Sequence, residues 1–287
     1  MGAEANGSAS AFSIKKLVKE VINPQQIRQM MESDFSERNG KEPPISIDDK
    51  RFLEQLEQGI HQTSNGHYEM PFREKLPKLP NNKLQALRRL ERLKVRLKND
   101  ERYRNHYNAF MKELLDKGYA ETVPKSDLSD ETSTVWYIPH HGVYHPQKPD
   151  KLRVVFDCSV NYQNESLNSH LLQGPDPTNE LIVRQSPIAF SCDVEGMFHQ
   201  FQVNESHRNY LRFFWWIDGD ITTAPKEFRM RVHLFGVTSS PGCANYGFKK
   251  IANDNEEQFG SDVANFVKND FYVDDGGIAP HPINGTT

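Results

Sequence analysis

The chain has 287 residues, 36% of them hydrophobic and 26% charged, with a formal net charge of −4. That length allows one large domain or two ordinary ones. The near-balanced charge excludes a globally basic nucleic-acid binder, so any such surface must come from local clustering.

No apolar run approaches the roughly 18 residues of a membrane span, so no membrane partner is expected. Met1-Gly2-Ala3-Glu4-Ala5-Asn6 lacks the apolar core of a secretion signal, and Asn6 stands where a myristoylation site wants Ser or Thr. Cys158, Cys192 and Cys243 form no CxxC pair and are odd in number, which points to a reducing compartment rather than a disulfide framework. The expected location is intracellular, cytoplasmic or nuclear, and not secreted. Sequons at Asn6, Asn164, Asn204 and Asn284 then read as chance matches.

Residues 1–75 form a polar N-terminal segment, disordered at first, with short helices expected between Phe12 and Met31. Ser46, followed by Asp48 and Asp49, predicts a helix through Phe52, Leu53, Leu56 and Ile60. Tyr68 to Phe72 reads as a short strand. Asn81-Asn82 reads as an N-cap for a helix over Lys83 to Lys98, where leucines recur near helical spacing. Its other faces carry Lys83, Arg88, Arg89, Arg92, Lys94, Arg96 and Lys98 against a single Glu91. So one-sided a charge favours tracking of phosphates, with Arg88 and Arg92 as contacts, over a merely solvated face. A second helix follows, with Tyr103, Tyr107, Phe110 and Leu114 on one face, ending near Gly118.

From Val135 the pattern turns to strands. A hairpin is expected between Val143-Tyr144 and Leu152 to Phe156, turning at 146–150. Ile188 to Val203 begins as a strand and becomes helical after Asp193. Leu211 to Ile217 is an aromatic strand with Arg229 to Leu234 nearby, and Ser240 to Ile251 reads as helical. Val267 to Ala279 reads as a strand, a tight turn at Asp275-Gly276-Gly277, and a return.

Asp193 ends one apolar strand, and Asp274 and Asp275 sit where another reverses. Neighbouring strands lie about 4.8 Å apart, so two strand ends can share hard cations such as magnesium, which prefer carboxylate oxygens. Phosphoryl transfer to a growing strand uses two such ions about 3.5–4 Å apart. Alone, Asp-Asp-Gly-Gly reads first as a common solvated turn. The cluster His140-His141-Gly142-Val143-Tyr144-His145 admits a zinc site, but adjacent strand histidines point to opposite faces and seldom share a metal.

The company of the acidic motif decides its reading. Leu79-Pro80-Asn81-Asn82, Trp136 through Val143, Leu152 through Asp157, Ser166-Leu167-Asn168, Asp193 through Gln200, Phe235-Gly236 with Ser239-Ser240-Pro241, and Phe271-Tyr272-Val273-Asp274-Asp275 occur in order. From about Leu76 to Gly277 the chain resembles the reverse transcriptase of BEL/Pao-type long-terminal-repeat retroelements. The resemblance implies an RNA-directed DNA polymerase domain over residues 76–287 and an α+β fold. That fold is a right hand's fingers plus an incomplete palm, an antiparallel sheet backed by helices. It further implies Mg2+ (two ions, replaceable by Mn2+), deoxynucleoside triphosphates, and an RNA or DNA template with primer.

By the same resemblance, Asp193, Asp274 and Asp275 are the metal-binding catalytic carboxylates. Phe198 is a steric gate against a ribose 2′-hydroxyl. Arg153 and Lys151 hold the incoming triphosphate, for which a guanidinium fork is suited. Gly236, Ser240 and Pro241 lie behind the nascent base pair, and Tyr272 lies beside the primer end. The match departs at three places. Leu181-Ile182-Val183-Arg184 bridges a deletion in a palm helix, Phe235 replaces a common Gln, and Thr287 follows soon after the acidic hairpin. The expectation is therefore weak or absent polymerase activity in this chain, with a non-catalytic nucleic-acid-binding remnant as the alternative.

Overall fold

Short sheets and helices make up the residues that the computed structural model describes, 45–73, 77–129, 135–175 and 190–278. These fall within one unit, Ile45–Thr287. The first sheet runs β1 (His61–Gln62), β2 (Tyr68–Met70), β7 (Phe201–Val203), with β2 and β7 parallel. An antiparallel sheet joins β3 (Ala120–Thr122), β9 (Lys226–Met230) and β8 (Arg212–Trp215). β4 (His140–His145) and β5 (Lys148–Phe156) form a hairpin with a bulge at Tyr144/His145. The last sheet, β10 (Phe271–Tyr272), β11 (Asp275–Ile278), β6 (Phe190–Asp193), carries the acidic residues. The chain is thus mixed α/β with small, mainly antiparallel sheets. The inferred deletion at 181–184 and the helices before Met31 lie outside the described residues.

Helix α1 (Ile47–Gly59) starts where expected: the Ser46 side chain accepts a hydrogen bond from the Asp49 amide at 3.0 Å. Phe52 and Leu56 are its buried face. Helix α2 (Lys83–Asn99) buries Ala86, Leu90, Leu93 and Leu97, while Leu84 stays exposed. Asn82 does not cap it with its side chain. That carboxamide is buried and pairs with the Tyr137 backbone, donating to its carbonyl at 2.7 Å and accepting from its amide at 2.8 Å. It supplies a strand-like partner to a segment whose remaining bridge is Tyr137 to Arg212. Asn81 is the nearer approach to a cap, accepting from the Lys83 amide.

Helix α3 (Glu101–Asp116) is capped by Asp100, which accepts from the Tyr103 amide, and buries Tyr103, Tyr107, Met111 and Leu114. Phe110 is only partly buried. This face seats the β4–β5 hairpin. The Tyr103 hydroxyl both donates to the Gly142 carbonyl and accepts from its amide. A Cβ on Gly142 would fall 2.7 Å from that hydroxyl, so any larger residue would displace the Tyr103 ring. His140 is buried, bonded through Nδ1 to Tyr107 and through Nε2 to the Phe214 carbonyl. Burial pulls its pKa down to about 4, so the ring stays neutral, accepting at one nitrogen and donating at the other. Both nitrogens are committed and His141 is exposed on the other face, which removes the zinc reading.

Helices α4 (Lys125–Ser129), α5 (Ser240–Asp254), α6 (Glu256–Phe259) and α7 (Ser261–Asn269) complete the described elements. Around β8 and β9 lies a polar core. Arg229 bonds Glu121 at 2.7 Å and Asp127 at 2.5 Å, Arg212 bonds Glu227 at 3.1 Å, and Arg208 bonds Glu69 at 3.1 Å. Glu69 belongs to β2, so residues 45–73 join the later chain through this network as well as through the β2–β7 ladder.

Candidate active site at an acidic hairpin

Asp193 and Asp275 are register partners in the β6–β11 pair, and Gly276 faces Cys192. Directly opposed residues of an antiparallel pair share a face, with Cβ atoms about 4.5–5.5 Å apart. Both aspartates are exposed. Asp274 sits in the adjoining turn, its carbonyl accepting from the Val194 amide at 2.9 Å. The three expected carboxylates therefore belong to one edge of one sheet.

The turn is not where the sequence pattern put it. Tyr272 pairs with Asp275, so Val273 and Asp274 form a two-residue loop and Gly276-Gly277 lie in the return strand. Val273 has φ of 56°. A positive φ at the first loop position alone is the pattern of a type II′ turn, where glycine is usual. For a β-branched residue it is an outlier costing about 1–3 kcal/mol. Val273 is held there by packing, with Val194, against the cluster of Phe52, Met70, Met197 and Phe198. Gly276 serves close approach instead. A Cβ there would fall 2.6 Å from Cys192 Sγ and 2.5 Å from the Phe271 ring.

Like charges set opposite each other across strands destabilise a sheet unless a cation shares them. Among the described residues no group of three His, Cys, Asp or Glu converges as a closed metal cluster. Magnesium does not need one. It keeps several waters and takes one or two carboxylates plus substrate phosphates, so this donor set fits an open site of that kind.

Phe198 follows Asp193 on a 3-10 turn, Met197–Gln200, and is 4% exposed. The Phe235 ring stands edge-on to it at 4.4 Å between centroids and is 61% exposed. Gly236, at φ 93°, brings this loop against the end of β5: a Cβ there would lie 3.3 Å from the Phe156 carbonyl. Ser240 is fully buried at the start of α5, with its hydroxyl unpartnered among the described residues, and Pro241 occupies the first turn. Tyr272 lies in β10, opposite Asp275.

Arg153 and Lys151 are exposed on β5, and Arg153 is opposite Val143. With His141 and Val155 they form the outer face of the hairpin. On α2 the basic residues divide into two groups. Lys83 pairs with Glu227 and Arg89 with Asp157, each at 2.6 Å, and Lys94 and Arg96 lie over the Trp216 and Tyr103 rings. Arg88, Arg92 and Lys98 remain exposed to solvent. Sequence reasoning missed the positive φ at Val273 and the packing of the Phe235 ring on Phe198.

In comparisons with known proteins, the sequence matches no family model and no curated protein. Among the described residues no helix is long and apolar enough to cross a membrane.

Proposed function

We propose that this chain carries the fingers and part of the palm of a retroelement reverse transcriptase, and that the acidic hairpin is its nucleotidyl-transfer site. The register of Asp193 against Asp275, closed by a strained turn bearing Asp274, is the observation that carries the reading. A primer 3′-hydroxyl oxygen would attack the α-phosphorus of a deoxynucleoside triphosphate. The bond from that phosphorus to the bridging oxygen breaks, pyrophosphate leaves, and the hydroxyl proton passes to solvent. Divalent ions, when bound, supply charge neutralisation on the attacking and leaving oxygens. Asp193 and Asp275 would hold such ions, with Asp274 adjoining, because their side chains start from opposed strand ends.

Arg153 and Lys151 stand exposed on the outer face of the hairpin, where they suit a triphosphate. Arg88, Arg92 and Lys98 suit template or primer phosphates. The test is primer extension on a primed RNA template with Mg2+ or Mn2+, beside Asp274→Asn. Weak extension by the unaltered chain and its loss in the variant are expected; extension that survives Asp274→Asn sinks the proposal, and an absence of extension passes the chain to the second reading. The exposed basic residues of α2 favour a second reading, a non-catalytic nucleic-acid binder. Salt-dependent binding without extension would select it.

A further inference from the structure

We infer that Phe271 is a positioning residue for the acidic hairpin: its ring holds the strand bearing Asp275 in place against the strand that ends at Asp193. The inference rests on the polymerase reading above. The register sorts the last sheet into two rows. Opposed residues of antiparallel strands share a face, and successive residues alternate between faces. Asp275 and Asp193 are opposed and belong to one row. Phe271, Gly276 and Cys192 are opposed across β10, β11 and β6 and make the row on the other face.

That second row has no side chain at its centre. A glycine inside a strand weakens it, because it offers nothing to pack. The ladder cannot make up the loss, since β10 contributes only two residues to it. The position of β11, and with it of Asp275, must therefore be fixed from outside the ladder.

The Phe271 ring does this. A Cβ on Gly276 would fall 2.5 Å from the ring and 2.6 Å from Cys192 Sγ, so ring and sulfur together fill the place of the missing side chain. An aromatic ring leaning over a cross-strand glycine pins register in this way. The ring is in turn held by two helices. Phe248 of α5 stands edge-on to it at 4.7 Å between centroids, and Phe266 of α7 lies at 5.3 Å, inclined by 63°. Asp275 adjoins Gly276, and Asp193 adjoins Cys192. The row behind the two carboxylates is thus tied to α5 and α7 through one side chain. Groups that orient metal ligands from behind commonly set affinity by about 10–100-fold.

The test uses the full chain. Mn2+ is titrated without nucleotide and followed by electron paramagnetic resonance, and alkylation of Cys192 by iodoacetamide is followed without metal. Cys192 is partly exposed whereas Cys158 and Cys243 are buried, so the reagent reports on this row. Phe271→Ala should weaken Mn2+ binding about tenfold and speed alkylation of Cys192. Phe271→Leu, which still covers Gly276, should recover most of both. Phe110→Ala removes a partly buried ring from the other core cluster; it should lower the melting temperature and change neither readout. Phe248→Ala should weaken Mn2+ binding by itself but add little in the Phe271→Ala background, because it acts through that ring. Unchanged Mn2+ affinity in Phe271→Ala overturns the inference, and so does full additivity of the two alanines. Mn2+ binding that is absent, or indifferent to Asp193→Asn and Asp275→Asn, overturns the polymerase reading instead. The alkylation rate then decides the packing role of Phe271 alone, and an unchanged rate removes it.

Discussion

Asp193 and Asp275 face each other directly across the β6–β11 ladder, the last residue of one strand against the first of the other. Without a cation this opposition costs stability. Asp275→Asn should therefore stabilise the metal-free chain by about 0.2–1 kcal/mol. Magnesium should then raise the melting temperature of the unaltered chain more than that of the variant, because binding to the folded state alone shifts unfolding by mass action. Thermal melts in EDTA and in millimolar Mg2+ check both halves. Equal magnesium shifts in the two proteins would remove the aspartate pair from cation binding.

Val273 should tolerate glycine where an ordinary strand valine would not. Glycine relieves the cost of the 56° φ and loses only a half-buried side chain. The two nearly cancel, and Val273→Gly should lie within about 1 kcal/mol of the unaltered chain. Val203→Gly, at a fully buried position in β7, should cost about 3 kcal/mol or more. Urea denaturation of the two variants makes the comparison. A Val273→Gly loss as large as that of Val203→Gly would mean that φ at 273 carries no strain.

Acid should destabilise the fold through buried histidines. Burial pulls His233 down to about 3 and both His140 and His199 to about 4. Their unfolded pKa is about 6.5, so below that pH the unfolded chain takes up protons that the folded chain refuses. Their contribution is present above pH 6.5 and is lost as pH falls towards 3–4. His233 also lacks a hydrogen-bond partner at either nitrogen among the described residues. His233→Leu should thus be more stable than the unaltered chain at pH 5, with the gap closing towards pH 8. Melting temperatures across that range decide it; a constant gap would show that His233 does not titrate on unfolding.

Local chemistry was legible in the sequence, and long-range partners were not. The α1 start at Ser46 and the apolar faces of α2 and α3 follow from side chains a few residues apart. The β4–β5 hairpin was visible because its strands alternate, but its turn is tighter than the expected 146–150: His145 pairs with Lys148, so Pro146-Gln147 is the tip and Pro149 lies in β5. Asn82 looked like a cap because its true partner, Tyr137, is 55 residues away. The acidic turn was misplaced because Gly276-Gly277 is the better turn former, whereas Gly276 is needed for close approach to Cys192 and Phe271. Phe198 shares a buried cluster with Phe52 of α1 and meets the Phe235 ring, both far from it in the chain. The carboxylates themselves were legible because their strand ends are marked on each side by apolar runs.

Arg229→Ala should be among the costlier surface-distant changes. It would strip the buried partner from Glu121 and Asp127. Removing one side of a buried pair costs about 3–5 kcal/mol, and the lower end applies because both carboxylates still reach solvent. Burial alone would raise the Asp127 pKa. Hydrogen bonds from Ser126 and Asn209 and the Arg229 charge outweigh it and hold the carboxyl below its usual value. That contribution is present above the unfolded carboxylate pKa and is lost as pH falls through the folded one. The penalty of Arg229→Ala should accordingly shrink in acid, which denaturant melts at pH 7 and pH 3.5 would reveal.

Arg153 and Arg89 make the sharpest contrast between a residue available to a ligand and one spent on the fold. Arg89 is tied to Asp157 at 2.6 Å, just beyond β5, and braces α2 against the hairpin. Arg153 is exposed on that hairpin's outer face, opposite Val143. Arg153→Ala should leave the melting temperature unchanged and weaken triphosphate binding about tenfold, since charge-assisted bonds to phosphate are worth about 1.5–3 kcal/mol. Arg89→Ala should do the reverse, costing stability, by up to about 1 kcal/mol for a half-exposed pair, with little change in affinity. Calorimetric titration of dATP beside thermal melts separates them. If both variants weaken binding equally, the hairpin acts through its seating on α2 rather than through a phosphate contact at Arg153.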